Sequence, residues 1–166
     1  MAADNSRSQR YINEVRGSSP ENARIFGMPF KFQVVVGGGG TITSYVQPPN
    51  APISSGHYFH AKSIRGVLNY PTVGAWIVAS IDITNAVLFQ VGESNSSRKI
   101  FEDAISFAHL SSGPMRLRND LHDSVGYPFA PASTIVVTIS YDSRITGLTA
   151  GTYNGELLLL GTLVKK

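Results

Sequence analysis

The chain has 166 residues, long enough for one domain with a sizeable core. Only 15% of its residues are charged against 42% apolar, where a freely soluble domain carries about 25% charged residues, so much of the surface is neutral or is covered by partners. The formal charge of +3 permits contact with nucleic acid without demanding it, and the lack of cysteine excludes disulfides, thiolate metal sites and cysteine nucleophiles.

Residues 1–28 read as a polar N-terminal arm and residues 29–166 as the folded domain. The arm sets Arg7, Arg10, Arg16 and Arg24 against Asp4, Glu14 and Glu21, a net of one positive charge. The four arginines are the candidates for nucleic-acid contact, although firm phosphate binding needs several unopposed cations. Phe30–Val36 then alternates apolar and polar, with Pro29 expected at a strand start or edge. Four glycines, Gly37 to Gly40, separate it from Thr41–Val46, and a strand, a glycine turn and a second strand is the simplest account. A dinucleotide fingerprint beginning at Gly37 would need glycine where Ile42 stands. No Lys-Ser or Lys-Thr follows, as a phosphate loop would require.

Gln47–Gly56 is a loop by composition. His57–Tyr70 resumes strand-like residues, with Gly66 expected at a bulge or bend. His57 and His60 are three apart and so on opposite faces of a strand, which argues against a metal pair and for polar surface or hydrogen-bonded roles. Ala75–Ile83 and Ala86–Val91 read as two more strands joined at Thr84-Asn85, with Trp76 in the core or at a contact surface. Arg98–Leu110 carries Ile100, Phe101, Ala104, Ile105 and Ala108 at helical spacing, so a helix is expected there, with Glu102 and Asp103 facing solvent. Met115–Leu117 is a short strand. Asn119–Gly126 is a polar loop holding Asp120, His122 and Asp123; without a nucleophile elbow, this Asp-His grouping lacks the serine of a hydrolase.

The C-terminal third holds the clearest pattern. Ser133–Asp142 places Ile135, Val137, Ile139 and Tyr141 on one face of a half-buried strand. In Gly155–Val164, Leu158, Leu160 and Val164 share one face while Leu157, Leu159 and Leu163 share the other. A strand apolar on both faces wants cover on both, so Leu157, Leu159 and Leu163 are the expected subunit interface.

The tally is about eight short strand-like runs with long irregular links and one helix. It points to an all-β, eight-stranded jelly-roll β-sandwich with a short helix in a mid-chain loop; a lipocalin-like or streptavidin-like barrel is the alternative. The polar arm, the eight runs, the mid-chain helix, and the stretches YPFAPASTIVVTISYD and NGELLLLGTLV resemble those of viral single jelly-roll coat proteins. The resemblance covers Pro29 to Lys166. It implies a virion subunit that self-assembles into an icosahedral shell around the genome and is not an enzyme. Its partners would be copies of itself, with a second capsid protein, the viral genome or an internal membrane as further candidates. No cofactor, metal or small-molecule substrate is implied. The nearly balanced arm departs from the strongly basic arms of RNA-packaging coats and puts direct genome binding in doubt. A rival of another class is a receptor- or carbohydrate-binding sandwich, with Tyr11, Tyr45, Tyr58, Tyr127, Tyr141 and Tyr153 near loops as stacking candidates. An enzyme is disfavoured because no nucleophile, base and orienting group occur together.

Overall fold

The computed structural model describes residues 23–72, 75–78, 81–94, 96, 98–111, 113–117 and 126–165. Its strands are β1 (Ala23–Val36), β2 (Ile42–Val46), β3 (Ala51–Pro52), β4 (His57–Thr72), β5 (Ala75–Val78), β6 (Val87–Glu93), β7 (Ile105–Ser106), β8 (Met115–Arg116), β9 (Tyr127–Phe129), β10 (Thr134–Tyr141) and β11 (Gly151–Lys165). Two short helices, α1 (Ile81–Ala86) and α2 (Ala108–Ser111), lie between β5 and β6 and between β7 and β8.

The strands form two sheets. The larger runs β2-β1-β11-β4-β5, with β8 and β9 also paired to β4; the smaller runs β3-β10-β6-β7. Take β1, β3, β4, β6, β7, β9, β10 and β11 as successive runs. One sheet then reads first, eighth, third, sixth, and the other second, seventh, fourth, fifth. That nested order is two Greek keys wound together, the jelly roll expected from the sequence, and the two separate sheets exclude the barrel alternative.

Alternation sets the inner faces. Phe30, Phe32, Val34 and Val36 of β1, Phe59, Ile64 and Leu68 of β4, and Leu157 and Leu159 of β11 are buried from one side. Val87, Phe89 and Val91 of β6 and Ile135, Val137 and Ile139 of β10 are buried from the other. Phe107 joins the two layers, with its ring 5.4 Å from Phe32 and 5.8 Å from Phe89, both edge to face.

Several elements differ from expectation. β1 begins at Ala23, ahead of the boundary expected at Pro29, because β11 is long enough to pair with it from Val164 back to Gly151. Pro29 therefore sits mid-strand. It is tolerated because β2 pairs β1 only from Gln33 to Val36, so among the described residues nothing pairs with the other flank of β1 at Pro29. Of the helix expected over Arg98–Leu110, only the end from Ala108 is helical. Lys99 bridges Gly92, Ile100 donates its N–H to the Val91 carbonyl, and Ile105–Ser106 pair with Phe89 and Leu88. The free edge of β6 captures this segment, and its apolar residues reach the core from there, Phe101 lying 6.1 Å from Phe89. A helix also replaces part of the two strands expected between Ala75 and Val91. Ile83, Ala86 and Val87 are buried at helical spacing in and just after α1, where the chain crosses from one sheet to the other. At Gly66 the backbone continues as regular strand. A methyl there would stand 2.6 Å from the Phe107 ring, so this glycine makes room for an aromatic side chain. The bulge falls instead where Leu160 and Gly161 face Ser63 and Ala61, leaving Lys62 as the extra residue.

Candidate assembly surface

The two faces of β11 separate cleanly. Leu157 and Leu159 are fully buried and Leu163 is 9% exposed, all within the single chain. The expectation that these three leucines form the subunit interface is therefore corrected. Their face is the one that meets β6 and β10 across the core, and parity alone could not say which of the two apolar faces would turn inward. Leu158 and Leu160 point outward and remain half-buried.

Residues directly opposed on paired strands share a face, so the register maps the outer surface of the larger sheet. Across β1, β11 and β4 it reads Gly27, Leu160, Ser63; then Pro29, Leu158, Arg65; then Lys31, Glu156, Val67; then Gln33, Asn154, Asn69. Val46 of β2 stands beside Gln33. The leucines lean across Gly27, where an added methyl would meet Leu160 at 3.3 Å and Leu158 at 3.4 Å. The Gly27–Leu160 and Pro29–Leu158 rows are thus apolar, and beside them a concavity of about 260 Å³ is lined by Arg65, Val67, Glu156 and Leu158, among others. Ile25, Val46 and Val67 on this face are 89%, 58% and 50% exposed. Amides border it, with Gln33 Nε2 donating to Asn154 Oδ1 at 3.0 Å.

Toward the end of the same face, the chain encloses Tyr58, His60 and Val164. His60 is 1% exposed, and neither ring nitrogen has a hydrogen-bond partner. This overturns the reading of His60 as polar surface or hydrogen-bonded. Burial, with a smaller push from the Lys62 charge, lowers its pKa to about 4. His57, by contrast, meets the Ser54 hydroxyl through Nδ1 at 2.6 Å.

Of the arginines, Arg7, Arg10 and Arg16 lie outside the described residues. Arg24 is exposed on β1, its guanidinium 5.9 Å from the centre of the Phe26 ring. Asp120, His122, Asp123 and Tyr11 also lie outside the described residues, as does the Trp76 side chain. Glu102 and Asp103 are exposed. Among the described residues no three His, Asp or Glu side chains gather as metal ligands. Of the tyrosines, Tyr58 and Tyr153 are buried, Tyr153 donating its hydroxyl to the Thr149 carbonyl. Tyr127 lies under the Arg98 guanidinium, and burial raises its pKa while Arg98 opposes the rise. Tyr45 and Tyr141 come together, each 40% exposed, with ring centres 6.0 Å apart. Beside them Arg144 makes a two-pronged ion pair with Asp142, whose hydrogen bonds lower that carboxyl pKa to about 2.

A feature that the sequence did not signal is Glu93. Its carboxylate is buried at the end of β6 and accepts from the Ala130 N–H and the Ser96 hydroxyl, tying the β6 end to the approach to β10. On the outer face of the smaller sheet, a concavity of about 220 Å³ is lined by Gln90, Arg98, Lys99, Val136 and Thr138, among others.

Fold and surface together define a jelly-roll β-sandwich whose larger sheet exposes Ile25, Val46 and Val67 on its outer face. No family model matches the sequence, and no curated protein matches it. Solved structures similar to it come from virus and bacteriophage particles. The capsid of Helicobacter pylori bacteriophage KHP30 is 10% identical, with 87% of this chain and 99% of that chain covered and a TM-score of 0.33. The VP2 subviral particle of infectious bursal disease virus is 14% identical, with 89% and 34% covered and a TM-score of 0.38. Mud Crab Dicistrovirus is 13% identical, with 86% and 70% covered and a TM-score of 0.32. The strand order of this chain, not these scores, is what defines its fold.

Proposed function

We propose that the chain is a structural virion protein, a coat subunit whose copies assemble into an icosahedral shell around the genome. The observation that carries this reading is a jelly roll that closes its own core yet leaves Leu158, Leu160, Ile25, Val46 and Val67 on an uncovered sheet face. Apolar side chains left on a sheet face and bordered by polar ones are what a docking surface presents. The low charge of the whole chain supports the same reading, since lateral neighbours replace solvent over much of a shell subunit. The principal partner is then another copy. A second capsid protein or an internal membrane fits as a further partner, and Arg7, Arg10, Arg16 and Arg24 are the residues to contact the genome. On this reading the subunit performs no chemistry.

Negative-stain electron microscopy and analytical ultracentrifugation of the purified full chain test it. Uniform large particles or discrete capsomers are expected. A protein that stays strictly monomeric at high concentration overturns the reading.

A second reading has one observation in its favour. The exposed Tyr45 and Tyr141 rings sit together beside the Asp142–Arg144 pair, an aromatic surface with polar groups at its rim that suits a sugar. A glycan array on which the native chain binds no better than a Tyr45→Ala, Tyr141→Ala variant removes it.

A further inference from the structure

Lys31 and Glu156 stand directly opposite each other on β1 and β11, yet they form no ion pair among the described residues. Arg65, one row away on β4, forms none either. These uncommitted charges border the apolar rows Gly27–Leu160 and Pro29–Leu158, and no described loop or helix supplies their partners. We propose that this face is the contact between two copies of the chain, packed sheet on sheet about a two-fold axis parallel to the strands and running between β1 and β11. The inference rests on the shell-subunit reading and names the surface by which copies meet.

The register makes the face complementary to itself. A two-fold axis between β1 and β11 lays β1 of each copy over β11 of the other. Every cross-strand pair within the chain is then repeated between chains, twice. Lys31 faces the partner's Glu156, and Glu156 faces the partner's Lys31. Leu158 lies against the partner's Pro29, and Leu160 comes over the space at the partner's Gly27. Outside these, β4 comes over the partner's β2, bringing Asn69 over the partner's Val46 with the exposed Val67 one row away. Gln33 and Asn154 fall at the edge. The contact therefore has apolar rows at Gly27–Leu160 and Pro29–Leu158, a Lys31–Glu156 facing made twice across it, and a polar rim. One patch on both copies is what a closed two-fold pair requires.

Charge reversal at the two facing positions tests this by sedimentation and native mass spectrometry of the full chain. Lys31→Glu alone and Glu156→Lys alone are each expected to weaken self-association by about tenfold or more. An equimolar mixture of the two variants should restore association between them, because every contact across the axis is then opposite in sign. A Lys31–Glu156 pair made within one chain would not be rescued by mixing. Thr138→Lys, on the outer face of the other sheet, should leave pairing unchanged. Reversals without effect, or a mixture that stays as weak as its parts, overturn the inference. Pairs that form through this face without larger particles keep the inference and remove the shell reading. Particles that form normally from both reversed variants do the opposite.

Discussion

His60 is the side chain whose surroundings fit it least. Its imidazole is enclosed and unpartnered, so it must stay neutral in the folded chain while it protonates freely in the unfolded one. The folded pKa of about 4 lies below the ordinary 6.5. Between those values the unfolded state binds more protons. Stability from this group is therefore full above about pH 6.5, falls as the pH drops toward 4, and changes no further below. The loss is at most on the order of 3 kcal/mol. Denaturant titrations across that window should show this slope, and His60→Leu should flatten it while costing nothing at pH 7, because it also removes two unsatisfied polar atoms. A His60→Leu variant with the native pH slope would place the titration elsewhere. Gly66 gives a second residue-scale expectation. Gly66→Ala drives a methyl into the Phe107 ring and Leu110, and should lower the unfolding free energy by roughly 1–3 kcal/mol with the m-value unchanged.

At the scale of elements, the edges of the smaller sheet explain more than any helix propensity. β3 pairs β10 only through Ala51 and Pro52, and upstream of Ala51 stand Pro48 and Pro49, which have no N–H to donate. Further along that edge the Gln47 side chain completes the ladder. Its Nε2 donates to the Ile139 carbonyl at 2.7 Å, and its Oε1 accepts the Ile139 N–H at 2.8 Å. A single amide thus stands in for a missing strand residue and blunts an edge that would otherwise template aggregation. Gln47→Leu should cost about 1 kcal/mol and raise light scattering on warming. A variant as free of aggregation as the native chain would mean the prolines suffice. The other edge, along β6, is occupied by Lys99–Ile100 and Ile105–Ser106, and this pairing is why a segment with helical spacing is mostly extended.

For the whole molecule, the balance lies between a core that one chain completes and a surface it does not. The aromatic contacts of Phe32, Phe89 and Phe107 close the interior without help. The face of Leu158 and Leu160 gains only when a second body removes it from water, at about 25 cal/mol per Å². Binding that occurs only in the folded state adds to apparent stability by mass action. The midpoint of thermal unfolding should accordingly rise with protein concentration, and Glu156→Lys should abolish the rise while leaving the dilute-limit midpoint near the native value. A midpoint independent of concentration in the native chain would count against any association of folded copies.

Most of the architecture was legible in the chain itself. Alternation in Phe30–Val36, Ser133–Asp142 and Gly155–Val164, long irregular links and the absence of βαβ spacing were enough for a two-sheet jelly roll, because a period of two fixes which residues share a face. The same period is silent about which face turns inward, so the leucines expected at a subunit contact, Leu157, Leu159 and Leu163, prove to be buried within the chain. Only packing against β6 and β10 decided that Leu157 and Leu159 fill the core and that Leu158 and Leu160 look out. Tertiary structure alone also decided the state of residues 98–107, where an open strand edge outweighed local spacing, and the burial of His60 and of Glu93, the latter held in part by the distant Ala130 N–H. Periodicity is a local property of the chain; edges, faces and enclosure belong to the assembled sheets.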